Sequence, residues 1–443
     1  MEDGLAITGR IVAAVWFAAL LCLGGWLAWR SSGPSHHLVD ASSPGRLFVV
    51  FYLLLYGVGS VGLVLGGESE GAGPGLAAYG LVAFGIGAAV AARLSGVPHG
   101  PAHGISIGPV QPLAVLALAA VGILALASIA FQAGLPFLTG DAVASRSSFA
   151  GLTFDVFRWL VPGAALLALG VALARDSRRD WVLAGIAVAA VLLLELLLAS
   201  RALPFELAIS ALLLLWWAGR RLRRRAWVSL GAAALLLFMG VQLARVSGQV
   251  SFEREYSVTD FVVERTVNRV LLIGPRTLEV LVNTIPAEEP YFAGSTYARR
   301  IGPLLGQPPR QTLGYWIYER LFPTQPGGFA APGVLGELWA NAGPLLALAG
   351  MFGFGALAVA LGHLLSSFGT GVADRVFAAL LVVAFARTYA TSLNGFIATV
   401  VAILLWRIAI TLPSWPTWLR TRRYSAPSTS PNSSWARSRT TSS

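Results

Sequence analysis

Lysine is absent from this 443-residue chain, and all 32 of its basic residues are arginine. A GC-rich coding sequence accounts for that preference. The net charge of +11 is therefore not read as nucleic-acid binding, and each arginine is judged by where it falls. Charge of either sign is scarce, at 12% against about 25% in a typical soluble domain. With 56% hydrophobic residues and a mean hydropathy of +0.70, this scarcity excludes a soluble enzyme and a disordered chain. A polytopic α-helical membrane protein remains. The single cysteine, Cys22, excludes a disulfide within the chain. The five histidines (His36, His37, His99, His103 and His363) show no metal-ligand spacing. HExxH, DxD and CxxC are missing, as is any nucleotide or phosphate loop, and Gly353-Phe354-Gly355 reads as helix packing inside an apolar run. A transferase needing a metal-held nucleotide sugar is thereby disfavoured. No bound metal or cofactor is expected.

Apolar runs long enough for a bilayer, about 20 residues each, recur at 9–29, 47–66, 75–93, 112–132, 156–174, 181–199, 203–219, 226–244, 334–362, 376–391 and 394–412. They predict an all-α bundle of about eleven transmembrane helices. The organisation follows: an N-terminal bundle over 1–244 (about eight spans), a large loop over 245–332, about three C-terminal spans over 333–412, and a tail over 413–443. The tail is rich in Ser, Thr, Pro and Arg and reads as disordered. Arg175, Arg178 and Arg179 crowd one short loop, Arg220 to Arg225 another, and Arg420, Arg422 and Arg423 follow the last span. Even numbers of spans separate these clusters, so they share one side, and short arginine-rich loops stay cytoplasmic. The 245–332 loop then faces outward. It holds nine arginines and eight acidic residues, so it is nearly neutral, and its aromatic content argues against disorder. Tyr315, Trp316, Ile317, Tyr318, Leu321 and Phe322 suit an amphipathic helix lying in the membrane interface.

The outward side offers arginine and carboxylate. Asp141 and Arg146 lie in the 134–155 segment, and Arg201 sits at the outer end of a helical hairpin. Arg265 and Arg269 are four apart, hence on one face of a helix. Arg299 and Arg300 precede a Pro-rich turn, and Arg387 falls inside an apolar span near its outer end. A guanidinium's planar fork matches phosphate oxygens and stays charged. The alternative for the loop arginines is snorkelling to headgroups or local pairing with carboxylates such as Glu264, Glu279 or Glu319. An ionisable group within a span, as at Arg387, is expensive and marks function. Glu337 and Asn341, at i and i+4, share a face in the first turns of a span that a Gly/Pro loop introduces. Capping or helix packing is the other reading of that pair.

Gly327-Gly328-Phe329, Pro332 and then Gly336-Glu337-Leu338-Trp339-Ala340-Asn341-Ala342-Gly343 running into a span resembles the bacterial oligosaccharide repeat-unit polymerases of the Wzy, or O-antigen polymerase, type. Gly134-Leu135-Pro136-Phe137, Gly140-Asp141, Ser145-Arg146 and Phe149 resemble a second block of that family, and Ala199-Ser200-Arg201 with the arginines at 220–225 a third. The resemblance touches about a fifth of the chain. It leaves Val246–Pro290 without a counterpart. It implies a GT-C-like fold and a glycosyltransferase of the bacterial cytoplasmic membrane, its active site facing outward. Such an enzyme moves a growing glycan from polyprenyl diphosphate onto a new lipid-linked repeat unit. Implied partners are the donor and acceptor glycolipids, membrane lipids and a chain-length regulator, with no nucleic acid. Implied roles are diphosphate or substrate binding by Arg146, Arg201, Arg265, Arg269, Arg299, Arg300, Arg387 and Asn341, with Glu337 or Asp141 as the base. An O-antigen ligase and a transporter or lipid flippase are the competing classes.

Overall fold

A computed structural model of the protein describes residues 2–33, 43–99, 104–107, 112–133, 152–197, 202–220, 271–297, 312–323, 329–391 and 393–411. Among them the regular structure is helical, with a single isolated bridge between Ser106 and Gly371. The helices are α1 (Glu2–Ser31), α2 (Pro44–Tyr52), α3 (Val58–Gly66), α4 (Ala72–Ser95), α5 (Pro112–Ala133), α6 (Leu152–Arg175), α7 (Arg178–Leu197) and α8 (Ala202–Trp217). After a break come α9 (Ile273–Thr284), α10 (Leu313–Leu321), α11 (Gly333–Ser366), α12 (Val372–Ala386) and α13 (Leu393–Thr411). A π-helical turn, Leu53–Gly57, joins α2 to α3, and a 3-10 turn, Arg387–Ala390, ends α12. Each expected span among the described residues falls on a helix, while 226–244 lies outside them.

Among the described residues, four helical stretches are long and apolar enough to cross a membrane: Ala6–Ser31, Pro44–Gly66, Ala72–Ser95 and Gly333–Ser366. Their outward faces carry bare apolar side chains, with Val12 64% and Leu345 83% exposed. Water would penalise such faces and lipid does not. Inside, Phe48 stacks on Phe84 and Phe354 on Phe385, both at 4.5 Å. Glycine sets the closest approach, because added Cβ atoms at Gly87 and Gly355 would overlap the Phe352 and Phe84 carbonyls across the α4–α11 seam.

The connecting segments gather at two ends of the bundle, since α4 and α11 each contribute one terminus to each set. At one end Gly104 N–H donates to Trp217 O (2.7 Å), the His363 ring nitrogen meets Ser95 Oγ (3.2 Å), and Arg220 pairs with Asp176 (2.8 Å). The Arg220 hydrogen bond holds the Asp176 carboxyl below its ordinary range, helped by Trp181. At the other end lie α9, α10 and the start of α11. There Glu279 accepts Gly73 N–H (2.7 Å) at the start of α4, and Arg276 pairs with Glu68.

The aromatic face of α10 does not lie open to the interface as its amphipathic pattern predicts. Leu313, Trp316, Ile317 and Tyr318 are buried in a small core with Leu281, Ile285, Ala330 and Ala340. Protein rather than lipid covers that face. Arg320 lies over the Trp316 ring at 3.7 Å and pairs with Glu289, whose carboxylate also accepts the indole N–H. Arg276 and Arg320, the insertion arginines among the described residues, pair with Glu68 and Glu289, neither of them a carboxylate that the sequence put forward for local pairing.

Candidate functional site

Of the residues expected to form a site, the described set includes Glu337, Asn341 and Arg387. Asp141, Arg146, Arg201, Arg265, Arg269, Arg299 and Arg300 lie outside the described residues. The three that are described lie at the insertion end of the bundle, where the π turn and the 3-10 turn meet the start of α11 and a break in α11 follows nine residues on. Irregular backbone at membrane depth persists only where it is buried in protein or lines a cavity. A cluster of such segments is therefore a physical pointer to function.

The break in α11 follows from Pro344, which has no N–H to give the Ala340 carbonyl four residues earlier. The chain opens at Ala342 (φ −155°, ψ 22°) and Gly343 (φ 75°, ψ −160°). Gly343 takes the left-handed region that disfavours a side chain, and a Cβ there would lie 2.6 Å from the Tyr291 hydroxyl. The freed carbonyls do not stay unpaired. Ala340 O accepts Phe292 N–H (2.9 Å) and Asn341 O accepts Ala293 N–H (3.0 Å), so the insertion's backbone replaces the lost helical bonds. The Asn341 side chain completes the clasp. Its Oδ1 accepts Gly294 N–H (2.9 Å), and its Nδ2 donates to Thr296 Oγ1 and Glu337 O, each at 2.7 Å. Glu337 and Asn341 thus lie in the first turns of α11, as expected, and the break follows them directly. They lie on a short helical piece before the break, both buried.

Replacing Asn341 with leucine is expected to free the 291–297 segment. Gly294 N–H and the Thr296 hydroxyl would lose buried partners, each loss costing about 1–3 kcal/mol. Thermal unfolding in detergent should fall accordingly, with faster proteolysis near Gly294. An unchanged unfolding temperature would show that the clasp carries no stability.

Glu337 is 3% exposed, and its Oε2 accepts Leu393 N–H at 2.6 Å. Leu393 opens α13, so the carboxylate sits at the positive end of that helix, which favours it. Alongside, Gly333 N–H donates to Thr391 O (3.0 Å), and Tyr56 Oη, from the π turn, donates to Tyr389 O (3.1 Å). Gly333 has φ 64°, and a Cβ there would overlap Tyr389 O. Burial, then the Glu337 charge, pushes the Tyr297 phenol up to about 12, against a hydrogen bond with Asn341. A phenol raised in the folded state contributes stability that is complete below pH ~10 and lost as pH rises towards about 12.

Arg387 follows α12 directly, and its Nη1 donates to Glu206 Oε2 at 2.7 Å. The Glu206 side chain, in the second turn of α8, is 4% exposed, and that of Arg387 is 24% exposed. Glu206 Oε1 is buried with no hydrogen-bond partner among the described residues. Phe51 packs between Phe205 (5.6 Å) and Tyr389 (5.7 Å) beside the pair. Sequence reasoning placed Arg387 in the candidate site and left its partner out, although a carboxylate in a span was itself a signal. Among the described residues, no three His, Cys, Asp or Glu side chains converge as metal ligands. The junction therefore offers one partly open guanidinium, a buried carboxylate with a spare oxygen, and a rigid frame of broken helices. No family model, curated protein or solved structure matches this chain.

Proposed function

We propose that this chain is a membrane glycosyltransferase that polymerises polyprenyl-diphosphate-linked oligosaccharide repeat units into a cell-surface polysaccharide. In this reading it resides in the bacterial cytoplasmic membrane, with the 245–332 insertion and the junction facing outward. The observation that carries the reading is the partly open Arg387 guanidinium at the insertion end, on a 3-10 turn that meets the π turn and the start of α11. The sequence resemblance to repeat-unit polymerases supports it independently. The acceptor hydroxyl attacks the anomeric carbon of the donor glycan, the bond to the diphosphate breaks, and its electron pair leaves on the diphosphate oxygen. Arg387, with Arg146, Arg201, Arg265, Arg269, Arg299 and Arg300 as the further candidates, neutralises that leaving group in a partly dry site. The glycosyl-diphosphate bond supplies the driving force, so the reading requires no nucleotide, cofactor or metal. A chain-length regulator would be a natural partner. Glu337, held by Leu393 N–H, is a positioning residue here, which leaves the acceptor proton to another carboxylate.

A ligase would use the same donor with a different acceptor. A ligase that relies on an outward histidine is disfavoured, because this sequence has none between Gly104 and Gly362. A transporter reading gains something from the broken α11. However, the stretch from Pro344 to Ser366 still exceeds the roughly 20 residues of a full span. The break therefore falls at the end of a span and not midway, where a transport site is built. Purified protein incubated with lipid-linked repeat unit separates the three classes. A ladder of products is expected; a single transfer to a foreign acceptor would favour the ligase, and no transfer the transporter.

A further inference from the structure

A carboxylate that is 4% exposed, with one oxygen on a guanidinium and the other without a partner among the described residues, is an incomplete arrangement. Buried ion pairs are favourable only when the remaining lone pairs are also satisfied, and here Oε1 is not. The Arg320–Glu289 pair is better provided for, because Glu289 accepts from both Trp316 and Arg320. The Arg387–Glu206 pair also lacks the symmetry of a purely structural bridge, because Arg387 keeps 24% of its side chain accessible while Glu206 is enclosed. An incoming anion can reach the guanidinium without first moving the carboxylate.

We infer that the Arg387–Glu206 pair is an anion-exchange site in which Arg387 releases Glu206 to take phosphate oxygens of a lipid diphosphate, and that the released Glu206 is the base for the acceptor hydroxyl. The exchange rests on geometry alone, and the base role rests on the glycosyltransferase reading above. A diphosphate presents several oxygens to the five donors of a guanidinium, whereas Glu206 engages Nη1 through one oxygen. Once displaced, Glu206 has no cationic partner in the pair, and both of its oxygens are open to the acceptor hydroxyl, whose proton a positioned carboxylate can take. The balance is complete: the acceptor oxygen bonds the anomeric carbon, its proton passes to Glu206, and the diphosphate leaves with the electron pair. Glu206 returns the proton to water or to the departing diphosphate and closes again on Arg387. Exchange thus couples exposure of the base to the presence of donor.

The test measures binding and turnover separately on the full chain in detergent, with Glu206→Gln, Arg387→Gln and the double variant. The binding probe is farnesyl diphosphate, with farnesol and inorganic diphosphate as the arms that separate lipid tail from phosphate. Glu206→Gln removes the competing anion, so farnesyl diphosphate should bind at least as tightly as to wild type. Arg387→Gln and the double variant should lose that binding. Glycan transfer by Glu206→Gln should fall by about 10²–10⁴-fold, the usual worth of a general base. The double variant holds no unpaired charge at this site, so it reads the binding arm even if a single variant folds poorly. Weaker binding by folded Glu206→Gln, or undiminished binding by the double variant, would overturn the exchange. Tighter binding with undiminished transfer would overturn the base role. If the wild-type protein transfers no glycan, the base role falls with the polymerase reading, and the exchange is decided by binding alone. Inorganic diphosphate binding as well as farnesyl diphosphate would contradict a lipid ligand.

Discussion

Replacing Arg387 with lysine is expected to reduce glycan transfer by about 10²–10³-fold, the typical cost of losing one preorganised donor to a developing oxyanion. Lysine keeps a positive charge near Glu206, so the protein should still fold. It cannot offer the planar fork of parallel N–H groups that engages two phosphate oxygens. Arg387→Ala is a different experiment, because Glu206 would remain buried beside no cation. Stranding one partner of a buried pair costs about 3–5 kcal/mol, and loss of folded protein is the expected result. The comparison separates chemistry from architecture: lysine should give normal expression and unfolding with poor turnover, and alanine poor expression. Full activity of the lysine variant would mean that charge alone matters at this position, which does not fit a diphosphate contact.

A second large effect is expected from Gly355→Val. The added Cβ would drive into the Phe84 carbonyl, and Gly87 approaches the Phe352 carbonyl just as closely, so neither helix can yield locally. Backbone is the obstacle, not the movable end of a side chain. The α4–α11 seam should open, at a cost of about 3 kcal/mol, the upper part of the usual range for overpacking. The break at Asn341–Pro344 belongs to the same helix, so the junction should loosen with it. Gly353→Val, two residues away, is the control, because none of the described residues lies within 4 Å of a Cβ there. Unfolding measured in detergent should drop for Gly355→Val and stay near wild type for Gly353→Val. Equal behaviour of the two would contradict the close packing of this seam.

These two glycines show where sequence reasoning reaches its limit. Gly353-Phe354-Gly355 reads as packing in an apolar run, which holds for Gly355 and not for Gly353, and only the neighbouring helix decides between them. Helix positions were legible because apolar runs of bilayer length are a strong, local signal. The break in α11 left its own local signal, Gly343-Pro344, but the hydropathy of the run continues across it and masks the interruption. Amphipathicity of α10 revealed an apolar face without revealing its cover, because lipid and a protein core select the same side chains. Arg387 stood out through its depth in a span. Its partner Glu206 is 181 residues away, and no spacing rule connects residues that only tertiary packing brings together. Capping was one of the roles open to Glu337, but its target, the Leu393 amide, lies on another helix and was likewise out of reach.

The most direct measurement is photocrosslinking with a polyprenyl diphosphate that carries a diazirine in its first isoprene unit, followed by peptide mapping. If the junction binds the donor, the label falls on peptides around Glu206, Arg387 or Glu337 and is displaced by unlabelled lipid-linked repeat unit. Label concentrated at the opposite end, around Arg220 or His363, or label that the repeat unit does not displace, would contradict the account.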